Sequence, residues 1–239
     1  MVCLVVAVCN LFTIVPNDLT YDRLVKEVLQ KSAITVYVAA VFCSMKIPFI
    51  NKKGFLWATP LFVTAIVNFP FTSLIFGSAK IDRADLIWIF TLSCLLTAFA
   101  EELFFRGILL DFLLKKFDKK FPILKTCLVS SAVFGLWHFT NLLYGAGFLI
   151  TLGQAVYTFI LGLMLSFTAI KTKNLFITAL IHFVFNFGGK IIPVLGSGSV
   201  DLTFIILTAL FGAVSIIYIF INYMKSEGKR EGLFLKNRS

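Results

Sequence analysis

The chain has 239 residues, of which 59% are hydrophobic and only 14% charged, far from the roughly 45–50% and 25% of soluble globular proteins. So little polar sequence excludes a separate soluble domain. The net charge of +10 could suit nucleic acid, but no basic face is interleaved with exposed aromatics, so nucleic-acid binding is set aside.

Hydrophobic runs of spanning length predict eight transmembrane helices, near 1–16, 32–50, 55–78, 85–110, 122–141, 147–170, 174–189 and 202–223. The fold expected is all-α: a polytopic membrane helix bundle of about eight spans, forming a single transmembrane domain over 1–239. The first run lacks a basic flank, so it reads unlike a cleaved signal peptide; it is short for a span, as though the start lacked a few residues. Residues 17–31 read as a short interfacial helix. Lys46 and Pro48 shorten the second span, and Lys46 can snorkel to the membrane edge. Asn68 and Pro70 predict a kink in the third span, because proline removes a backbone hydrogen bond. Residues 111–120 read as a continuation of the fourth helix beyond the membrane, before Pro122 opens the fifth.

Connections on alternate sides differ in charge. Segments 17–31, 79–85, 141–146 and 190–201 carry six basic and six acidic residues. Segments 46–53, 111–125, 171–173 and 225–239 carry fifteen basic and four acidic residues. The positive-inside rule therefore puts the second set and both termini in the cytoplasm, including a basic tail over 224–239. The five cysteines, Cys3, Cys9, Cys43, Cys94 and Cys127, lie in apolar runs without metal-type pairs and read as small packing residues.

Five ionisable residues sit inside these runs: Glu101, Glu102 and Arg106 on the fourth, His138 on the fifth and His182 on the seventh. Each costs roughly 2.5–3.5 kcal/mol at the centre of a span on insertion scales, so an intramembrane charge points to function. Glu102 and Arg106 are four apart and can pair on one face; a neutralised packing pair is the plain reading. Glu101 is rotated about 100° from Glu102 and has no cation at i+3 or i+4. It needs a proton, water or a partner from another helix. His138 alone would more often be a hydrogen-bonded core histidine, and His182 with Asn186 is only weakly specific alone. Counted from the cytoplasmic edge at about 1.5 Å per residue, Glu101 and His182 lie roughly 15 Å in, and His138 and Asn186 roughly 20 Å in. Three helices thus deliver polar groups to one layer, and that coincidence favours a functional intramembrane polar cavity.

A carboxylate with an imidazole can hold and deprotonate water, and a second imidazole with an amide can stabilise an oxyanion. Glu101 with His138 suits the first task, and His182 with Asn186 the second. The same Glu101, His138 and His182 could bind Zn2+ with an open position, although H-E-x-x-H is absent; metal is chemically allowed but not required.

Three motifs appear in order: Glu101–Glu102 with Arg106, Phe134 with His138, and His182 with Asn186. In these the chain resembles the CAAX protease and bacteriocin-processing (CPBP, or Abi) intramembrane proteases, which include the prenyl-protein CAAX endopeptidase. The resemblance covers roughly 85–190. It implies about eight spans, a cytosol-accessible cavity, Glu101 as general base, His138 positioning the water, His182 and Asn186 as oxyanion site, and Glu102, Arg106 and Phe134 in support. The family is often called metalloprotease, yet a metal-independent glutamate mechanism has also been proposed, and the present sequence is read that way. The compact form resembles bacterial members and implies a bacterial cell membrane.

The leading expectation is an intramembrane endopeptidase hydrolysing a peptide or membrane-associated protein by activated water, with the lipid bilayer as its other partner. The alternative is a catalytically idle binding or bacteriocin-immunity protein using the same cavity. A third reading, a transporter with Glu101 as proton site, lacks a supporting inverted repeat. Substrate, lipidation of substrate and oligomeric state stay open.

Overall fold

The computed structural model describes residues 19–45, 49–50, 54–117 and 122–227. The expected first span 1–16, Lys46, Pro48, Cys3, Cys9 and the tail beyond 227 lie outside the described residues. Helix α1, Leu19–Ser44, is continuous, so the interfacial helix and second span expected from sequence are one element. No proline or glycine interrupts it, and Glu27 and Lys31 in its middle find partners. Lys31 Nζ donates to Glu27 Oε2 (2.9 Å) and to Ser93 Oγ (2.9 Å), while Ser93 Oγ donates to Glu27 Oε2 (3.0 Å).

The third apolar run is broken rather than kinked: α2 is Thr59–Val67 and α3 Phe71–Ile75, with Asn68 and Pro70 in the gap. A short strand β1, Ala79–Ile81, and a 3-10 turn, Ala84–Leu86, lead into α4, Ile87–Glu102. The helical rod continues through a π-helical stretch, Leu103–Leu109, and α5, Leu110–Lys116. Pro122 then opens α6, Pro122–Trp137, as suits a residue whose missing N–H costs nothing in a first turn. A 3-10 segment, His138–Tyr144, closes at Gly145, whose φ of 85° is left-handed. Helix α7, Phe148–Thr172, ends on Lys173 with φ 51°, and the Asn174 side chain accepts from Ile177 N (3.1 Å) to start α8, Leu175–Leu195. Strand β2, Gly196–Gly198, and α9, Leu202–Glu227, follow.

Two differences from expectation concern α8. It runs six residues past the expected end at 189, so Lys190 is helical rather than in a loop. Beyond it β2 pairs antiparallel with β1, Ala79 facing Gly198 and Ile81 facing Gly196. No extended apolar alternation announces strands this short. At Gly196 an added Cβ would overlap the carbonyl of Lys80, so the close approach of the two backbones requires glycine.

Among the described residues, five helices are long and apolar enough to cross a membrane: Ala84–Lys116, Pro122–Leu143, Phe148–Thr172, Leu175–Leu195 and Leu202–Tyr223; Thr59–Ile75 is a shorter apolar helical pair. The protein is an all-α integral membrane protein. Large apolar side chains such as Leu149, Ile150, Ile206, Leu210 and Ile217 are exposed, which in a bilayer is a lipid-facing surface rather than a defect.

The chain forms two compact units. Of the described residues, the first holds 19–45, 59–101 and 179–214; the second holds 49–50, 54–58, 102–117, 122–178 and 215–227. In the first, Leu24, Leu86, Ile89, Phe90, Ile191 and Leu195 form the buried core. In the second, α6 and α7 pack through small residues. A Cβ on Gly162 would stand 3.1 Å from Ser131 Cβ, and one on Gly135 would stand 2.8 Å from the Ala155 carbonyl. Small side chains let membrane helices approach closely where lipid offers no hydrophobic drive between them.

Candidate active site

In the first unit, α4 brings Glu101 to the end of its last turn and α8 brings His182 opposite it. Glu101 Oε2 lies 3.5 Å from His182 Nε2; the histidine side chain is 2% exposed and the carboxylate 20%. This supplies the carboxylate with the partner from another helix that its own helix cannot provide. The separation exceeds a good N–H···O bond, so the two groups are close neighbours rather than a tight pair. Asn186, also buried, sits one turn along α8 on the same face.

That turn of α8 is held from the break between α2 and α3. Asn68 Nδ2 donates to the Phe185 carbonyl (2.8 Å). Gly188 makes the approach possible, since a Cβ there would come 2.6 Å from the Asn68 carbonyl oxygen and 2.8 Å from Phe69 Cα. Sequence reading gave Asn68 only the role of a kink. Its signal was an amide in the middle of an apolar run, where polar groups seek a partner.

In the second unit, Glu102 Oε1 and Arg106 Nη1 are 2.9 Å apart, both side chains essentially fully buried. The spacing-based pairing of these two is therefore present. The guanidinium lies 4.4 Å from the centroid of the Phe134 ring, a cation–π contact, and Nη2 reaches the Gly162 carbonyl at 3.4 Å. Phe134 in turn stands edge-on to His138, centroids 5.1 Å apart. His138 Nδ1 is 2.9 Å from the Phe134 carbonyl and 3.4 Å from Thr158 Oγ1. Bonding to a carbonyl requires a proton on Nδ1, which leaves Nε2 as the acceptor of a neutral ring. Arg106, Phe134 and His138 thus form one chain of contacts, with Thr158 and Gly162 of α7 as partners that the motifs did not reveal.

The π-helical stretch starts immediately after Glu102 and contains Arg106 and Gly107. Leu110 N bonds Phe105 O five residues back, and Ser130 Oγ of α6 also donates to that carbonyl (3.2 Å). Such stretches occur often at functional sites.

Among the described residues, no three His, Cys, Asp or Glu side chains converge as a metal-binding group. Within the first unit, Glu101 and His182 supply two of the three protein ligands that a catalytic zinc site uses.

Residues 83–188 match the family model described as type II CAAX prenyl endopeptidase Rce1-like. The matched segment contains Glu101, Glu102, Arg106, Phe134, His138, His182 and Asn186. No curated protein and no solved structure matched the chain.

Proposed function

We propose, for a chain whose residues 83–188 belong to the Rce1-like CAAX endopeptidase family, that it hydrolyses a peptide bond of a peptide or membrane-associated protein within the membrane, using water activated by Glu101. The observation that carries this reading is the pairing of a partly exposed carboxylate with a buried imidazole, Glu101 with His182, one turn from Asn186.

In the proposed reaction Glu101 takes a proton from water, and the resulting hydroxide attacks the scissile carbonyl. His182 and Asn186 donate hydrogen bonds to the oxyanion of the tetrahedral intermediate. Collapse breaks the C–N bond, and Glu101 returns its proton to the leaving amine, giving a carboxylate and an amine. His138 takes the role of orienting the water on the strength of its motif, and its Nδ1 contact with the Phe134 carbonyl fixes the tautomer of the neutral ring. Glu102, Arg106 and Phe134 support His138 within the second unit. No step is routed through a metal. The charge asymmetry supports both termini in the cytoplasm.

The test is comparative peptidomics of membranes and medium from cells expressing wild type or Glu101→Gln at equal levels. New peptide termini should appear only with wild type. Identical profiles from two folded proteins in the native host would overturn hydrolysis and favour a binding or immunity role.

A further inference from the structure

A cleft of about 200 Å³ opens in the second unit with an entirely apolar lining. Helix α6 contributes Leu124 and Leu128, α7 contributes Leu163 and Phe167, and α9 contributes Ile219 and Phe220. An occupant with peptide N–H and C=O groups would find no partner there, and unsatisfied backbone groups are costly in a bilayer. A hydrocarbon chain carries no such penalty.

The ends of the same helices carry charge. On α7, Leu163, Phe167 and Lys171 recur every four residues, so Lys171 continues the lining row by one turn. On α6, Lys125 precedes Leu128 by three, again on a neighbouring surface. Both lysines are exposed, and among the described residues neither has a carboxylate within ion-pair distance. Tyr223, which also lines the cleft, is of the type that marks the membrane interface.

We propose that this cleft is a specific site for an anionic phospholipid, one acyl chain lying between α6, α7 and α9 and the phosphate held by Lys125 and Lys171. The site faces the leaflet that the charge asymmetry makes cytoplasmic. It is separate from peptide hydrolysis and stands whether or not the protein is a protease.

The full-length protein, purified into neutral detergent, is titrated with phosphatidylglycerol or phosphatidylcholine of identical chains, reading thermal unfolding and bound lipid by native mass spectrometry. With about one kcal/mol per basic residue near an anionic surface, two lysines give phosphatidylglycerol a preference of roughly 30-fold. Lys125→Gln with Lys171→Gln should abolish that preference while leaving the unfolding temperature in phosphatidylcholine unchanged. Leu128→Trp, which fills the cleft, should weaken both lipids. Lys116→Gln should retain the preference, and so should Glu101→Gln. Equal response to the two lipids, a preference surviving in the double variant, or its equal loss in Lys116→Gln would each overturn the site.

Discussion

Asn68 and Gly188 meet where two backbones nearly touch: the Asn68 carbonyl stands 2.6 Å from the place a Cβ on Gly188 would occupy, and the Asn68 amide bonds Phe185 O at 2.8 Å. The residue that breaks the α2–α3 run is thus also the residue that holds the Asn186 turn. Asn68→Ala should cost about 0.5–1.5 kcal/mol, the net value of one hydrogen bond. Gly188→Ala should cost more, because backbone rather than a flexible side chain must give way. Thermal unfolding in detergent checks both, and equal stability of Gly188→Ala and wild type would refute the close approach.

The Glu102–Arg106 pair is buried on both sides. Removing one partner strands the other charge, so Glu102→Leu or Arg106→Met alone should destabilise by roughly 3–5 kcal/mol. The double replacement Glu102→Leu with Arg106→Met should recover much of that loss, since no unpaired charge is left behind. A double-mutant cycle by denaturant unfolding would show it as strong non-additivity.

If His182 and Asn186 donate to the oxyanion, Asn186→Ala should lower kcat by about 10²–10³ and move KM little. A reporter peptide identified by the peptidomic comparison gives the substrate for this measurement. A variant whose KM rises while kcat stays fixed would assign Asn186 to ground-state binding instead.

Asp201 caps α9, accepting from Phe204 N (2.8 Å) and Thr72 Oγ1 (3.1 Å) at Oδ1 and from Ser73 Oγ (2.8 Å) at Oδ2. These bonds, the Phe204 amide foremost, hold its carboxyl below the ordinary value of 3.8. A depressed folded pKa contributes stability above the unfolded value, and that contribution is lost as pH falls through the folded value. Wild type should therefore exceed Asp201→Asn in unfolding temperature at pH 7, with the gap closing in acid below the ordinary carboxylate range. A gap independent of pH would sink the assignment.

What could be read from the sequence was local. The four-residue spacings of Glu102 with Arg106 and of His182 with Asn186 needed only the helical period, and Pro122 and the Asn68–Pro70 break needed only the missing N–H. What could not be read was set by partners distant in the chain. Lys31 and Glu27 read as interfacial because Ser93 was invisible to local pattern; with it, α1 runs through. The proximity of Glu101 to His182, and the pairing of β1 with the Gly-Ser-Gly strand, likewise join segments that no period connects. The composition also announced more spans than the five long apolar helices of the described residues, partly because charge on α1 and the break at Pro70 divide the hydropathy.

The π-helical stretch makes length itself a constraint. Each residue of an α-helix turns the chain by about 100°, and a widened turn accommodates a residue that α-helical winding would displace. A one-residue deletion between 103 and 105 that restored plain α winding would turn Glu102 and the Arg106 end of the stretch against each other. One insertion would do so in the opposite sense. Substitution can be absorbed along much of a lipid-facing helix, but here an indel between Glu102 and Arg106 would break their four-residue spacing while leaving both side chains in place.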